Sequence, residues 1–333
     1  MSISDFDYEL PDELIAQTAV EPRSAARLLV DQGEASPRHS IVDRLGDELQ
    51  PGDLVVVNNT KVLPARIFLQ RATGGKVELL LLEPLSDGQW ECLLRPGGKL
   101  RQEEQLFSAD GNPVVTVVGR RESPSAATFI VSVDVQEAML FELGELPLPP
   151  YITERPSDPN RYQTVFADRP ASAAAPTAGL HLTKELIENL TRSGVRFVEV
   201  ELIVGIDTFR PVEAELLDDH VMHSESYRVD QKVFDEVAEA RRVIAVGTTS
   251  TRALESAATR NQLSGRTDLF IRPGYDWKIV DLLMTNFHQP RTTLLVMIES
   301  FIGTRWRRLY DEAIAERYRM LSFGDAMLLN RHL

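Results

Sequence analysis

The segment "VIAVGTTSTRALESAATR" (Val243–Arg260) joins two different sequence patterns. Its first four residues are all apolar, as in a strand that is buried on both faces of a parallel sheet. Small polar residues follow from Gly247 to Arg252, and the remainder predicts a helix. A buried strand that leads directly into a helix is the repeating unit of α/β proteins.

The flanking sequence repeats this alternation of helix and strand. Leu182–Val195 predicts a helix, with Thr183 as its N-cap and Gly194 at its end. The alternation continues through a strand in Val195–Gly205, a helix in Asp230–Arg242, a strand in Lys278–His288 and a helix in Thr292–Gly303. The prediction is therefore an α/β fold with a mostly parallel sheet.

A different pattern occupies the region from about Asp53 to Val133. Short runs rich in β-branched residues alternate with Gly-Gly, Asp-Gly and Pro-Gly pairs, which predicts antiparallel strands in a small barrel. The proline-rich segment Gly144–Asn160 predicts a rigid, extended connector. Because the N-terminal segment is expected to pack on the α/β part, we expect an α/β domain of residues 1–60 and 151–333. An antiparallel β-barrel domain would then be inserted at residues 61–150.

The composition is that of an ordinary globular protein. The chain has 333 residues, of which 43% are hydrophobic and 26% charged, and this length is ample for a core. Its single cysteine, Cys92, cannot form an internal disulfide, and the acidic N-terminus does not resemble a signal peptide. No apolar run approaches the ~20 residues of a membrane span. We expect a cytoplasmic monomer that does not bind membranes.

The net charge of −14 argues against non-specific nucleic-acid binding, because affinity for phosphates requires clustered cations. It does not exclude one local basic face. Gly303–Arg319 carries such an excess of cations and includes Arg305, Arg307 and Arg308. This segment is alternatively a solvated helix face with Arg–Glu pairs.

Three polar loops are expected at one edge of the sheet, since ligands bind beyond the carboxyl ends of parallel strands. They are Ala175–His181, Gly247–Arg252 and Thr285–Thr293, and each ends where a helix begins. Free N–H groups at these helix ends would face a ligand. In the structural alternative, the polar side chains of the second and third loops cap a helix or satisfy loop carbonyls. These side chains are Thr248, Thr249, Ser250, Asn286 and His288.

A fourth stretch, Asp218–Glu225, places His220 and His223 three residues apart with Glu225 nearby. This is a weak metal signal, because neither an H-E-x-x-H pattern nor a cysteine pair supports it. The sequence argues more firmly against three other kinds of site, which are marked by glycine-containing motifs. Val77 and Leu100 follow the two Gly-Gly-Lys triplets, so there is no phosphate-binding P-loop, and neither a G-x-G-x-x-G nor a G-x-S-x-G motif occurs.

Taken together, many short motifs are far more specific than any one of them. The chain resembles the S-adenosylmethionine:tRNA ribosyltransferase-isomerase family of queuosine biosynthesis over essentially its whole length. The resemblance is carried by "VVNNTKVLPARI", "GGKVELLLL", "PLPPYI", "AAPTAGLHL", "DTFRPV", "HVMHSE", "VGTTSTRALES", "TNFHQPRTTL" and "YRMLSFGDAM", in family order. Three positions depart from the family pattern, with Ile203 in place of a histidine and Ala171 and Asp207 in place of glycines.

The resemblance implies a reaction at the wobble position of tRNA. The family transfers the ribosyl group of S-adenosylmethionine to 7-aminomethyl-7-deazaguanine in the anticodon and isomerises it, giving epoxyqueuosine, adenine and methionine. S-adenosylmethionine is therefore a consumed substrate, and no metal or redox cofactor is implied. The partners expected are S-adenosylmethionine and tRNA that carries the deazaguanine precursor, with its wobble base unstacked.

This chemistry requires proton transfer beside the sulfonium and at the departing adenine. Histidine suits both roles because it titrates near neutrality. The catalytic candidates are His181 and His223, with Glu225 to orient them or act as the base, and His288 as a further candidate. The candidates for substrate binding are Arg23, Asn58, Asn59, Thr60, Arg66, Pro176, Thr177, Gly179, Thr248, Thr249, Ser250, Arg252 and Asn286. Arg305, Arg307 and Arg308 are candidates for contacts to tRNA phosphates.

Two alternatives stay open at this point. Ile203 and Asp207 motivate a diverged paralogue of low or no activity that still binds tRNA or a nucleoside. His220, His223 and Glu225 motivate a metal-dependent hydrolase.

Overall fold

A computed structural model describes residues 1–85, 87–121, 128–154, 158–172, 174–204, 212, 214–222 and 224–333. The chain forms two compact units. The first comprises Met1–Thr60, Pro150–Arg169 and Ala175–Leu333. The second comprises Lys61–Pro149 and Pro170–Ala174.

The strands, in chain order, are β1 (Arg27–Val30), β2 (Arg38–Ile41), β3 (Leu54–Asn58), β4 (Thr60–Val62), β5 (Arg66–Arg71), β6 (Lys76–Pro84), β7 (Gln89–Arg95), β8 (Gln105–Phe107), β9 (Pro113–Arg121), β10 (Thr128–Val133), β11 (Gly144–Glu145), β12 (Arg169–Ser172), β13 (Arg196–Leu202), β14 (Glu225–Arg228), β15 (Val243–Val246), β16 (Ser264–Thr267), β17 (Leu282–Asn286) and β18 (Ala326–Asn330). The α-helices are α1 (Glu137–Glu142), α2 (Lys184–Arg192), α3 (Gln231–Ala238), α4 (Gly247–Arg260), α5 (Thr293–Ile302) and α6 (Arg305–Ala315). Short 3-10 helices occur at Ile3–Phe6, Asp12–Leu14, Arg23–Ala25, Val42–Asp47, Gly97–Lys99, Pro159–Tyr162, Thr177–His181 and Leu217–Asp219.

The first unit is built on a nine-stranded sheet in the order β16-β14-β13-β3-β15-β17-β18-β1-β2. Its four central strands, β13, β3, β15 and β17, run parallel to one another. Antiparallel pairs flank them on both sides. Apolar side chains of β3 and β15 form a buried core with Leu186 and Leu190 of α2. The predicted α/β fold with a mostly parallel sheet is confirmed.

One strand lies in a different sheet from the one predicted. The β-rich stretch that begins near Asp53 was expected to be antiparallel throughout, but β3 lies in the parallel sheet between β13 and β15. All five of its residues are buried. A strand without a polar face requires cover on both sides, and the centre of a parallel sheet provides it.

The second unit contains the predicted antiparallel barrel. Its strands follow the order β5-β6-β7-β10-β9-β8, and β8 pairs again with β5, which closes the ring. Buried and less buried residues alternate along β7, as expected where one strand face lines a barrel interior. The short strand β11 pairs with the outer side of β5. The inserted barrel is confirmed.

Local signals placed the ends of α2 correctly. The backbone N–H of Leu186 donates to Thr183 Oγ1 at 3.1 Å, so Thr183 is the N-cap. Gly194 follows the helix with φ +92°, a conformation that favours glycine. Among the described residues, no helix is long and apolar enough to cross a membrane.

Candidate active site

The polar loops meet at the carboxyl ends of β15 and β17, but one arrives by an unexpected route. Ala175–His181 was expected to follow a strand of the large sheet. It follows β12, which pairs with β4 in a separate two-stranded sheet. The 3-10 helix Thr177–His181 then packs against β17 and α4. Proximity of this loop to the site therefore comes from tertiary packing and not from strand order.

A cleft of about 610 Å³, open to solvent, lies where these elements meet. All three loops line it, with Pro176 and Thr177 from the first, Thr248 and Thr249 from the second, and Asn286 and His288 from the third. None of its described lining residues is Asp, Glu, Lys or Arg. The cleft therefore offers hydroxyl, amide, imidazole and backbone groups but no formal charge from the described chain.

The amide of Asn286 connects two of the predicted residues. Thr177 Oγ1 donates to Asn286 Oδ1 at 2.9 Å, and Asn286 Nδ2 lies 3.1 Å from His181 Nε2. Asn286 Nδ2 also donates to the carbonyl of Asp325 at 3.4 Å, which fixes the orientation of the amide because a carbonyl only accepts. Since an amide nitrogen only donates, His181 Nε2 accepts, and its proton lies on Nδ1.

His181 is 5% exposed and is neutral in this setting. Burial lowers the pKa of His181 to about 4, and the positive charge of Arg319 contributes in the same direction. It does not line the 610 Å³ cleft but a second pocket of about 260 Å³. His181 therefore lies behind Asn286, between the two.

His288 lines the cleft directly. Its Nε2 lies 3.0 Å from Thr285 Oγ1, and burial lowers the pKa of His288 to about 3. Two tyrosines hold its backbone, because its N–H donates to the Tyr310 hydroxyl at 2.9 Å and its carbonyl accepts from the Tyr8 hydroxyl at 2.6 Å. A fixed, neutral imidazole is thus presented to the cleft.

The second loop does not cap its helix. Helix α4 begins at Gly247, so the following hydroxyl residues lie inside its first turn, and no side chain caps it. Ser250, a predicted substrate-binding residue, donates its Oγ hydrogen to the carbonyl of Val246 at 2.8 Å. Its hydroxyl proton is therefore used within the helix. Thr249 Oγ1 is buried and has no hydrogen-bond partner in the part of the chain that the structure describes. The capping alternative is therefore wrong.

Arg252 and Glu225 form a buried ion pair. Both side chains are less than 10% exposed, and neither lines the cleft. Removal of either partner would leave the other charge buried and unpaired, which strongly destabilises a fold. The guanidinium beside Glu225 would also repel a metal ion there.

The described part of the metal motif shows no metal geometry. In the part of the chain that the structure describes, no group of three His, Cys, Asp or Glu side chains could hold a metal ion. The ring of His220 packs edge-on against Phe270, with centroids 5.4 Å apart. His223 and Asp207 lie outside the described residues, as does the side chain of Ala171. Ile203 is half-buried directly after β13, and its N–H donates to the carbonyl of Ser226.

The "NNT" segment and Gly179 have structural partners. The Asn58 amide donates to the carbonyl of Leu202 at 3.0 Å and accepts from the Thr60 N–H at 3.2 Å. Asn59 Nδ2 donates to Glu199 at 2.9 Å. A Cβ on Gly179 would lie 2.7 Å from Phe166 Cζ, so any larger residue there would have to displace the Phe166 ring.

Thr60 and Arg66 were also predicted to bind substrate. Thr60 is fully buried and, with Asn58 and Asn59, is not among the residues that line the cleft. Arg66 lies in the second unit, where its Nε is 3.1 Å from Glu78. Thr60 Oγ1 and Asn59 Oδ1 are buried and have no hydrogen-bond partner among the described residues.

Arg23 lines the second pocket together with His181 and with Arg161, which sequence reasoning missed. Arg23 donates to the carbonyls of Gln163 and Asn160 at 2.6 and 2.9 Å. Burial and the neighbouring Arg161 lower the pKa of the Arg23 guanidinium. Arg161 follows the proline-rich connector, where no motif marks it, and only the fold brings it to Arg23.

The arginines of α6 are held by the fold. Arg305 pairs with buried Asp31 at 3.0 Å and donates to the carbonyl of Leu333 at 2.6 Å. Arg307 donates to the carbonyl of Asp5 and lies over the Trp306 ring. The guanidinium of Arg308 donates to the carbonyls of Gly33 and Glu34. These contacts attach α6 to the N-terminal segments.

Comparison with known proteins identifies the family. The sequence model of the family described as "Queuosine biosynthesis protein" matches residues 3–329. The chain belongs to this family. Relatives named S-adenosylmethionine:tRNA ribosyltransferase-isomerase include one from Carboxydothermus hydrogenoformans, 47% identical, and one from Symbiobacterium thermophilum, 46% identical. Each alignment covers 99% of this chain and 100% of the relative.

Comparison with a solved structure supports the fold. The crystal structure of S-adenosylmethionine tRNA ribosyltransferase from Thermotoga maritima is similar to this chain with a TM-score of 0.56 and 37% sequence identity. The match covers 98% of this chain and 99% of that one. The departures at Ile203 and Asp207 are therefore substitutions within a full-length family member.

Proposed function

We propose that this protein transfers and isomerises the ribosyl group of S-adenosylmethionine onto 7-aminomethyl-7-deazaguanine at the tRNA wobble position. The products are epoxyqueuosine-tRNA, adenine and methionine. Full-length identity of 46–47% to relatives that carry this activity in their names supports the proposal. The observation that carries it at the level of structure is the cleft formed by all three predicted loops, whose described lining residues include no charged side chain.

A neutral cleft suits a sulfonium substrate. A Lys or Arg in the lining would repel the sulfonium, and a carboxylate there would stabilise the ground state of the cation instead of its reaction. Pro176 and Thr177 expose backbone and hydroxyl groups that can approach the sugar. S-adenosylmethionine is consumed, and the proposed reaction requires neither a metal nor a redox cofactor.

His288 is the proton-transfer candidate that the cleft positions best. It lines the cleft, its backbone is clamped, and its neutral imidazole can take the 5′ proton beside the sulfonium. Because burial lowers the pKa of His288, its imidazole is a weak base and its imidazolium a strong acid, so His288 suits delivery of a proton to the departing adenine better than uptake of the 5′ proton. The amine of the deazaguanine base attacks as a neutral nucleophile and loses one proton as the new C–N bond forms. The bond from the ribose to adenine breaks, and the carbon–sulfur bond breaks with its electron pair going to sulfur, which releases neutral methionine.

His181 acts through Asn286 in this proposal. Asn286 and Thr177 line the cleft, and His181 holds the Asn286 amide from behind. His181 is therefore a positioning residue for these two groups. His223 and Glu225 remain candidates for a second proton transfer, with Arg252 orienting the Glu225 carboxylate.

The decisive test is turnover with defined substrates. Purified protein is incubated with S-adenosylmethionine and tRNA that carries the deazaguanine precursor, and the digested nucleosides are analysed by mass spectrometry. Epoxyqueuosine with an equal amount of free adenine is expected, with no change after treatment with EDTA. Binding of tRNA without product would instead establish the diverged paralogue, and loss of activity with EDTA would establish metal dependence.

A further inference from the structure

The first turn of α4 presents backbone N–H groups that no described side chain caps. The residue before the helix is Val246, whose side chain makes no capping hydrogen bond, and no described side chain accepts from the N–H groups of Gly247, Thr248 and Thr249. These groups have no acceptor within the helix, and the positive end of the helix dipole adds to them. By contrast, α5 also begins at the cleft, but its N-cap Thr292 accepts from the Leu295 N–H.

A buried hydroxyl at the same position lacks a partner. Thr249 is 8% exposed, and its Oγ1 has no hydrogen-bond partner among the described residues. The hydroxyls of Ser250 and Thr251, one and two residues further on, each donate to a backbone carbonyl four residues earlier. A buried hydroxyl without a partner costs free energy unless a ligand supplies one.

We propose that the first turn of α4, together with the Thr249 hydroxyl, is the oxyanion subsite of the cleft and receives the α-carboxylate of S-adenosylmethionine. The inference rests on the proposed function and assigns one end of its substrate. Because none of the described lining residues is Lys or Arg, the helix N-terminus is the strongest source of positive potential in the cleft. A backbone site binds the carboxylate without placing a mobile cation beside the sulfonium.

Gly247 makes this approach possible. Its φ of +89° turns the chain from β15 into α4, a conformation that side-chain-bearing residues rarely adopt. A Cβ there would lie 3.5 Å from Thr249 Oγ1, between the hydroxyl and Ala178. Glycine therefore permits the turn that leads from β15 into the first turn of α4.

The test compares two ligands that differ by one carboxylate. Binding of S-adenosylmethionine and of decarboxylated S-adenosylmethionine is measured by calorimetry on wild-type protein and on Thr249→Val, Thr249→Ser and Thr251→Val. Thr249→Val removes only the hydroxyl, Thr249→Ser keeps it, and Thr251→Val is the matched control because its hydroxyl already bonds to Gly247. Circular dichroism and thermal unfolding confirm that each variant is folded.

Wild-type protein is expected to bind S-adenosylmethionine at least tenfold more tightly than the decarboxylated analogue. Thr249→Val should weaken S-adenosylmethionine about tenfold, or about 1.4 kcal/mol, and leave the analogue unchanged. Thr249→Ser and Thr251→Val should bind both ligands as wild type does. Equal affinities for both ligands in the wild type, or an equal loss of both in Thr249→Val, would overturn the subsite.

A tRNA phosphate is the other oxyanion that this turn could hold. If Thr249→Val weakens precursor tRNA and leaves S-adenosylmethionine unaffected, the occupant is a phosphate and the proposal fails. Wild-type turnover, measured in parallel, separates the two proposals. Product formed without carboxylate discrimination refutes the subsite alone, whereas discrimination without product refutes the proposed function alone.

Discussion

Two buried neutral histidines should make the first unit sensitive to acid well above the pH at which most carboxylates titrate. The folded pKa values are about 4 for His181 and about 3 for His288, against 6.5 for an ordinary histidine. Both are lowered, so their neutral forms stabilise the fold fully above about pH 6.5. That contribution is lost as the pH falls towards the folded values, because the unfolded chain binds protons first.

The magnitude follows from proton linkage. Between pH 7 and pH 5 the unfolded chain binds nearly one proton at each histidine, whereas the folded chain binds almost none. The free energy of unfolding should fall by about 2 kcal/mol per histidine, or about 4 kcal/mol for both. Asp325, whose pKa is raised by burial, acts in the opposite direction, but it is present in every variant and cancels in differences.

The assay is urea unfolding at pH 5.0, 6.0 and 7.0, followed by tryptophan fluorescence. A Trp90→Phe background leaves Trp277 and Trp306, both in the first unit, as reporters. His181→Gln and His288→Gln should each remove about half of the pH dependence, and the double variant nearly all of it. If the double variant keeps the slope of the parent between pH 7 and pH 5, the two histidines are not the buried neutral groups described above.

Three other perturbations test the packing around the site. Asn286→Leu removes an amide that makes three hydrogen bonds, so the free energy of unfolding in urea should fall by about 2–4 kcal/mol. Turnover should fall while the KM for tRNA stays unchanged. A variant as stable as wild type would show that these hydrogen bonds do not stabilise the fold. Gly324→Ala should lower the free energy of unfolding by about 3 kcal/mol, because its Cβ would lie 2.3 Å from the rigid backbone carbonyl of Arg319. Gly179→Ala should cost only about 1 kcal/mol, because its Cβ would meet the Phe166 ring, which can move. Equal melting temperatures of the two variants would contradict this. Arg305→Gln should cost about 3 kcal/mol by stranding buried Asp31 and leave the Kd for precursor tRNA within about twofold; a large loss of tRNA affinity in a stable protein would restore the phosphate role of α6.

Sequence periodicity predicted the elements that bury one face or both faces, and it failed where tertiary contacts decide. The apolar run of β15 and the capped helix α2 carry their structure locally. The equally apolar β3 was assigned to the wrong sheet, because a run of buried residues does not specify its partners. Arg161 could not have been predicted to lie near Arg23, because only the fold brings these two pocket-lining residues together from positions about 140 residues apart in the chain.

Hydrogen bonding distinguishes His181 from His288 as candidates for proton transfer. His181 sits in the most conspicuous motif, yet its Nε2 accepts from an amide whose orientation the Asp325 carbonyl fixes. Protonation of that nitrogen would set a donor against a donor, and rotation of the amide would set its oxygen against the carbonyl. His181 therefore cannot give up or take a proton at Nε2 without breaking the hydrogen bonds that place Asn286 and Thr177 in the cleft. His288 has no such restriction, because the Thr285 hydroxyl can either donate or accept, so its Nε2 stays matched in both protonation states. Within the proposed function, we therefore expect a proton transfer at His288, and we expect a neutral His181 to hold Asn286 and Thr177 in place.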